Sequence, residues 1–228
     1  MRFITILICL FIANSVKSQD KKQEHKKYNI VMISIDDLND WIGCMKTNPD
    51  VKTPNIDKLA AAGTLFTNAH TQFPVCGPSR TSVFTSLRPS TTNILNNDKN
   101  VADKAVQVMA LKYKTQLMHE YFGSNGYKTI AVGKLLHKHV PLNSVDLSGG
   151  RPKGPKGKRL NYFSKYTGTD WGVFPKEDSL TCDHKSATWA VSQLKKEHKK
   201  PFFLMVGFYR PHVPWKVPQK WWDLYDQD

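Results

Sequence analysis

Reactive side chains gather in four short stretches of this sequence. Asp36-Asp37 is a paired acid, and Cys76 opens the run Cys76-Gly77-Pro78-Ser79-Arg80. Lys134 and His137 lie in VGKLLH, and Arg210 and His212 lie in FYRPHVP. Taken alone, each has an ordinary explanation: paired Asp residues cap turns, lysines are solvated, a His near proline holds a loop, and a lone Cys is buried. Position is what singles them out. Cys76 sits just ahead of a helix expected to begin near Pro78, where free N–H groups and the positive dipole end favour an anion. Arg80, one turn further on, adds a fixed positive charge, so a thiol at residue 76 is expected to be acidified and reactive.

The other three stretches each follow a strand. Tyr28–Asp36 (YNIVMISID) is a β-branched apolar run ending in the acid pair, the pattern of a buried parallel strand. Tyr127–Val132 leads directly to Lys134 and His137, and the apolar strand Pro201–Phe208 leads to Arg210 and His212. Thr53 offers an N-cap, Pro54 suits the first helical position, and Gly63 closes a helix over Asn55–Ala62. Thr64–His70 reads as a short strand, and Pro78–Leu87 as a helix stopped by Pro89. Thr115–Gly123 and Ser186–His198 read as further helices. Repeated strand–helix–strand order predicts an α/β fold with a mostly parallel central sheet flanked by helices. Ligands bind outside the carboxyl ends of such sheets, so three strand ends bring acids, a lysine and histidines to one edge. Pro141–Asp183 lacks clear periodicity and holds RPKGPKGKR at Arg151–Arg159, a solvated loop by default or one that contacts a polyanion.

Composition narrows the partners. The chain has 228 residues, 40% hydrophobic and 23% charged, which excludes a wholly disordered or collagen-like protein. Lysine and arginine total 33 against 19 acids, a formal charge of +14 that suggests a polyanionic partner. Residues 1–18 read as a secretory signal peptide: Arg2 is the positive start, Phe3–Ala13 the apolar run, and Val16-Lys17-Ser18 the cleavage region. Residues 19–27 form a charged linker. Losing Arg2 and Lys17 leaves 31 basic residues against 19 acidic, an excess of 12. Export, to periplasm, extracellular space or lysosome, argues against nucleic acid and for an acidic extracellular polymer, with no membrane contact after signal cleavage. Cys9 leaves with the signal, so three cysteines remain, and an oxidising compartment favours a Cys44–Cys182 bridge where geometry allows.

C-x-P-S-R at Cys76–Arg80 resembles the signature of the type I sulfatases, in which the cysteine is oxidised to formylglycine. NIVMISIDDL, TPNIDKLAAAGTLFTNAH, TSLRPSTTN and GYKTIAVGK agree with that family, and PFFLMVGFYRPHVPW resembles its iduronate-2-sulfatase-like branch. The resemblance runs from Tyr28 to the last residue and implies an alkaline-phosphatase-like fold. It implies that Asp36, Asp37 and the modified Cys76 bind calcium, or less often magnesium, through hard oxygens. It implies that Arg80 holds the formylglycine hydrate and that Lys134 and His212 contact the sulfate. It implies that His137 assists the hydrate as a base, with His139, two residues on, as the competing assignment. The implied reaction is hydrolysis of a sulfate monoester, with a 2-O-sulfated uronic acid of a glycan favoured, after maturation by a formylglycine-generating enzyme. Family members carry two further metal ligands and a second lysine downstream, and none follows His212 here. Residues 28–228 are therefore expected to be the N-terminal part of a truncated catalytic domain, inactive alone. Two alternatives are a phosphatase or phosphodiesterase of the same superfamily and a non-catalytic protein that binds sulfated glycan.

Overall fold

In the computed structural model, residues 26–98, 103–161 and 169–225 are described. The signal peptide reading, Cys9 and most of the charged linker lie outside them. Strand β1 (Ile30–Ile35) is followed by helices α1 (Pro54–Ala62), α2 (Cys76–Thr85), α3 (Pro89–Thr92), α4 (Asp103–Lys112) and α5 (Met118–Ser124). Strands β2 (Lys128–Gly133), β3 (Leu147–Ser148) and β4 (Trp171–Val173) come next. They precede α6 (Cys182–Leu194), β5 (Phe202–Phe208), β6 (Trp215–Val217) and α7 (Gln219–Trp222).

The main sheet has the order β1-β5-β2-β3, and every described pairing in it is parallel. A separate parallel pair joins β4 to β6. Strand β5 is central and its first six residues are buried. Its period-two alternation sends Phe203 and Met205 to one face, where they pack with Phe84, Leu117 and Ala131. Phe202, Leu204 and Val206 go to the other face and pack with Ile130, Val132 and Ala190. Two helical layers therefore cover the sheet, α2, α4 and α5 on one side and α6 on the other, as the apolar runs of β2 and β5 require. Burying each such large side chain stabilises the fold by about 1.5–3 kcal/mol.

Strand β1 departs from the expected full burial. Ile30 and Met32 join the first core cluster, whereas Val31 is 46% and Ile33 52% exposed. The reason is coverage: α6 packs over β5 and β2 and leaves that face of β1 open. Other expectations shift as well. Thr53 makes no capping bond, because its hydroxyl donates to Asp57 Oδ1 at 3.0 Å and accepts from Gly43 N at 2.8 Å. Thr64–His70 is not a strand; it is turn and irregular chain with Leu65 and Phe66 exposed. Helix α2 begins at Cys76 itself and ends before Ser86, whose φ of 60° breaks it, while Pro89 opens α3. Helix α6 starts at Cys182, where the Thr181 hydroxyl accepts from His184 N at 3.2 Å. The aperiodic span holds β3 and β4, and RPKGPKGKR is irregular chain, as expected. Cys44 and Cys182 are unbridged.

One close approach sets the edge where the functional residues lie. Gly133 ends β2 at φ 86°, and a Cβ there would collide with the Gly207 carbonyl oxygen of β5. That contact lets Lys134 N donate to Gly207 O at 3.0 Å, extending the ladder one residue past β2. On the other side of β5, Asp36 N donates to Phe208 O at 3.2 Å. Asp36 and Lys134 are thereby fixed on opposite sides of one strand.

Candidate active site

Because β1, β5 and β2 are neighbours, their carboxyl ends place Asp36-Asp37, Tyr209–His212 and Lys134–His137 side by side. Asp36 is the hub. It is 3% exposed, its Oδ1 accepts from Arg80 Nη2 at 2.9 Å, and its Oδ2 pairs with Lys134 Nζ. Burial alone would raise the Asp36 carboxyl, but the hydrogen bond from Lys134 and the charges of Arg80 and Lys134 outweigh it, leaving the pKa below the usual value. Arg80 also donates through Nη1 to the carbonyls of Lys134 and Leu135, both at 2.7 Å. One guanidinium on α2 thus locks that helix to the ends of β1 and β2. Its described donors meet Asp36 and two carbonyls, one turn along α2 from Cys76.

Cys76 occupies the first turn of α2, half-buried. Its Sγ lies 3.5 Å from His137 Nδ1 and accepts from Asn97 Nδ2 at 3.2 Å. Asn97 also accepts from Gly77 N at 2.8 Å, so it clamps the helix start. Burial first, then the Lys134 and Arg151 charges, push the His137 imidazole below its ordinary pKa, keeping it neutral and able to accept a proton. His139 faces elsewhere: its Nδ1 donates to Gly133 O at 2.8 Å and its Nε2 accepts from Ser148 Oγ at 2.9 Å. Of the two histidines, His137 is the one at the thiol.

Beyond β5, His212 donates from Nδ1 to Val213 O at 2.7 Å, which leaves Nε2 facing Asp37 Oδ2 at 4.0 Å. Asp36, Asp37 and His212 each offer a ligand atom within 4.8 Å of the others, a group that could hold a metal ion. The donor set suits a divalent cation: Asp37 is exposed and the outer imidazole nitrogen of His212 is turned toward it, although Asp36 already meets two cations. His212 rather than Cys76 completes this trio. The Tyr209 ring supports the arrangement, stacked 4.7 Å from His212 and lying beneath Lys134 Nζ at 5.0 Å. Asp183, from the first turn of α6, accepts from Tyr209 N at 2.7 Å and Arg210 N at 2.8 Å, fixing the loop that carries His212. A cleft of about 820 Å³ opens over Asp36, Asp37, Cys76 and Arg80.

Three contributors escaped sequence reading. Tyr209 lies inside FYRPHVP, directly before Arg210, with nothing in the sequence to single it out. Asn97 and Asp183 carried no signal beyond an Asn-rich turn and an acid in a helix's first turn.

The family model for sulfatases matches residues 28–228, all of the chain beyond the first 27 residues. The chain belongs to the sulfatase family. A sulfatase of Formosa agariphila is 38% identical across 98% of this chain and 46% of its own length. Human iduronate 2-sulfatase is 32% identical across 86% of the chain and 37% of its own length. The chain therefore spans less than half of either relative. Among solved structures, a 2-O GAG sulfatase superposes with a TM-score of 0.55 at 20% identity, over 82% of this chain and 36% of that one. That likeness establishes the fold: the family members are sulfuric ester hydrolases built on a parallel α/β sheet. No helix among the described residues is long and apolar enough to cross a membrane.

Proposed function

We propose that this sulfatase chain carries the reactive cysteine, the base and the anion-neutralising groups of a sulfate monoester hydrolase that acts on a sulfated glycan. The observation that carries the reading is Cys76 in C-x-P-S-R, half-buried at the start of α2 with His137 Nδ1 3.5 Å from its sulfur. Conversion of Cys76 to formylglycine would supply a geminal diol, one hydroxyl to attack sulfur and the other to let sulfate be expelled. Neutral His137 accepts the proton released when the ester is cleared, a task that asks for a pKa at or below the working pH. Asn97 orients residue 76 from the opposite side. Lys134 brings the positive charge that neutralises the sulfate oxygens as charge builds on the leaving oxygen, while His212, its Nδ1 held by Val213 O, serves the metal group. Asp36, Asp37 and His212 would hold Ca2+ or Mg2+, which adds electrophilic pull on the sulfate.

The likeness of PFFLMVGFYRPHVPW to the iduronate-2-sulfatase branch supports a 2-O-sulfated uronic acid, met after export from the cell. The decisive experiment is mass spectrometry of the Cys76 peptide after co-expression with a formylglycine-generating enzyme. A loss of the thiol and appearance of an aldehyde is expected. An intact thiol under those conditions would overturn the hydrolase reading in favour of a non-catalytic glycan-binding protein.

A further inference from the structure

The amino ends of the strands, opposite the Cys76 cleft, bring two similar stretches of sequence together. KKQEHKK at residues 21–27, of which Lys26 and Lys27 are described, precedes β1, and KKEHKK at residues 195–200 precedes β5. Strands β1 and β5 are parallel neighbours with Ile30 opposite Phe203. Carried back along both strands, that register brings Lys27 level with Lys200. Phe202 N donates to Asn29 Oδ1 at 3.1 Å, so the chains are already side by side just before they pair. Lys128 opens β2 on the other flank of β5, opposite Phe202. One end of the sheet thus gathers Lys26, Lys27, Lys128 and the four lysines of KKEHKK.

Ordinary roles account for part of this charge. Lys195 and Lys196 follow α6 and complement its carbonyl end. Lys27 Nζ donates to Asn125 O at 2.7 Å, just past α5. The ammonium groups of Lys128, Lys199 and Lys200 have no partner among the described residues, and no lysine of the group forms an ion pair there. Two acids at this end are engaged elsewhere. Asp146 Oδ2 accepts from Thr129 N and Oγ1, and Glu120 accepts from Leu117 N and Gln107 Nε2. Glu197 is the exposed acid of KKEHKK. The balance is strongly positive, and its field favours an anionic partner.

Apolar side chains are interleaved with these cations. Tyr28 is 68% exposed with Lys26 Nζ 5.6 Å from its ring centre. Leu194 is 46% exposed beside Lys195, and Tyr121 is 56% exposed one turn before Asn125. Lysines mixed with exposed tyrosine and leucine suit the boundary between water and lipid, where ammonium groups meet phosphates and rings lie among headgroups. The chain also arrives here: residues 1–25, with the apolar run Phe3–Ala13, lead into β1 at this end. A bilayer that holds that run is tethered to this end of the sheet, while the Cys76 cleft opens at the other.

We infer that the amino end of the sheet docks on an anionic phospholipid surface, with the catalytic edge turned away from it. The inference is independent of the sulfatase reading, and it departs from the expected lack of membrane contact after signal cleavage.

Co-sedimentation of the 228-residue chain with phosphatidylcholine vesicles, with and without about one third phosphatidylglycerol, tests it. The apolar run is common to every sample, so the difference between vesicles reads the lysine face. Binding to the anionic vesicles is expected to be about tenfold tighter, and about 0.5 M salt should abolish the difference. Lys195→Gln/Lys196→Gln/Lys199→Gln/Lys200→Gln should erase the preference. Lys138→Gln/Lys153→Gln/Lys156→Gln/Lys158→Gln removes the same charge from exposed positions outside this face and should keep the preference within about twofold. Equal binding to both vesicle types, or equal loss in the two variants, overturns the inference. So does lysine-dependent binding to soluble polyphosphate that outcompetes the vesicles, a result that assigns the face to a soluble polyanion.

Discussion

Arg80 illustrates how one side chain can hold a site together. Its guanidinium spans three acceptors on two strand ends, Asp36 Oδ1 and the Lys134 and Leu135 carbonyls, in a buried setting. Arg80→Ala would leave two buried carbonyls unpaired and Asp36 with half its compensation. A loss of about 3–5 kcal/mol in urea unfolding is expected. Arg80→Lys keeps the charge but not the fork, and should recover only part of that loss; equal stability of Lys and Arg at this position would refute the account. The sequence made Arg80 visible through C-x-P-S-R, but not its partners, since residues 36, 80 and 134 meet only through the fold. The same holds for Asn97, which reaches Cys76 from an Asn-rich turn without periodicity. Short motifs name a reactive residue; the groups that orient it come from wherever the chain returns.

Elements carry the next level of control. The edge of the sheet depends on β2 and β5 approaching closely at Gly133 and Gly207. Gly133→Ala would place a methyl group against the Gly207 carbonyl oxygen at a φ of 86° that alanine resists. A cost of roughly 3 kcal/mol or more is expected, read as a lower urea midpoint with unchanged m-value. An alanine variant as stable as the parent would mean the strand ends are free to part. Strands β1, β2 and β5 were legible because continuous apolar runs ended in turn residues. Thr64–His70 was misread because β-branched and aromatic content mimics a strand where no neighbouring strand offers a ladder. Helix α4, whose apolar residues run almost consecutively instead of at helical spacing, has no clear period in the sequence, and α6 begins four residues before the expected start because its cap, Thr181, precedes a polar first turn. Local pattern reports burial on both faces well and pairing poorly, which is why the open face of β1 went unseen.

At the scale of the whole molecule, acid sensitivity has an identifiable source. His119 is fully buried, with Nε2 2.7 Å from Ser144 Oγ and no partner for Nδ1 among the described residues. Burial pushes its pKa down to about 4 despite the neighbouring Glu120 carboxylate. Unfolding restores the ordinary value near 6.5, so between those limits the unfolded chain binds the extra proton. Stability should therefore fall as pH drops from about 6.5 to about 4, by on the order of 3 kcal/mol, and this contribution should level off below. His119→Gln, unfolded in urea across that range, should flatten the slope; a slope identical to the parent would assign it elsewhere. Asp36 acts in a separate window, losing its stabilising charge below the ordinary carboxylate range. The parallel pairing of β1 with β5 has a further consequence, in time. Ile30 pairs with Phe203, some 170 residues later in the chain. At about 5–20 residues per second of synthesis, β1 waits roughly 10–35 s for its neighbour. Cys76 leaves the ribosome within that interval, before His137 or the β5 end exists to attend it. For those seconds the chemistry of the thiol is set by whatever the nascent chain meets, and only afterwards by its own fold.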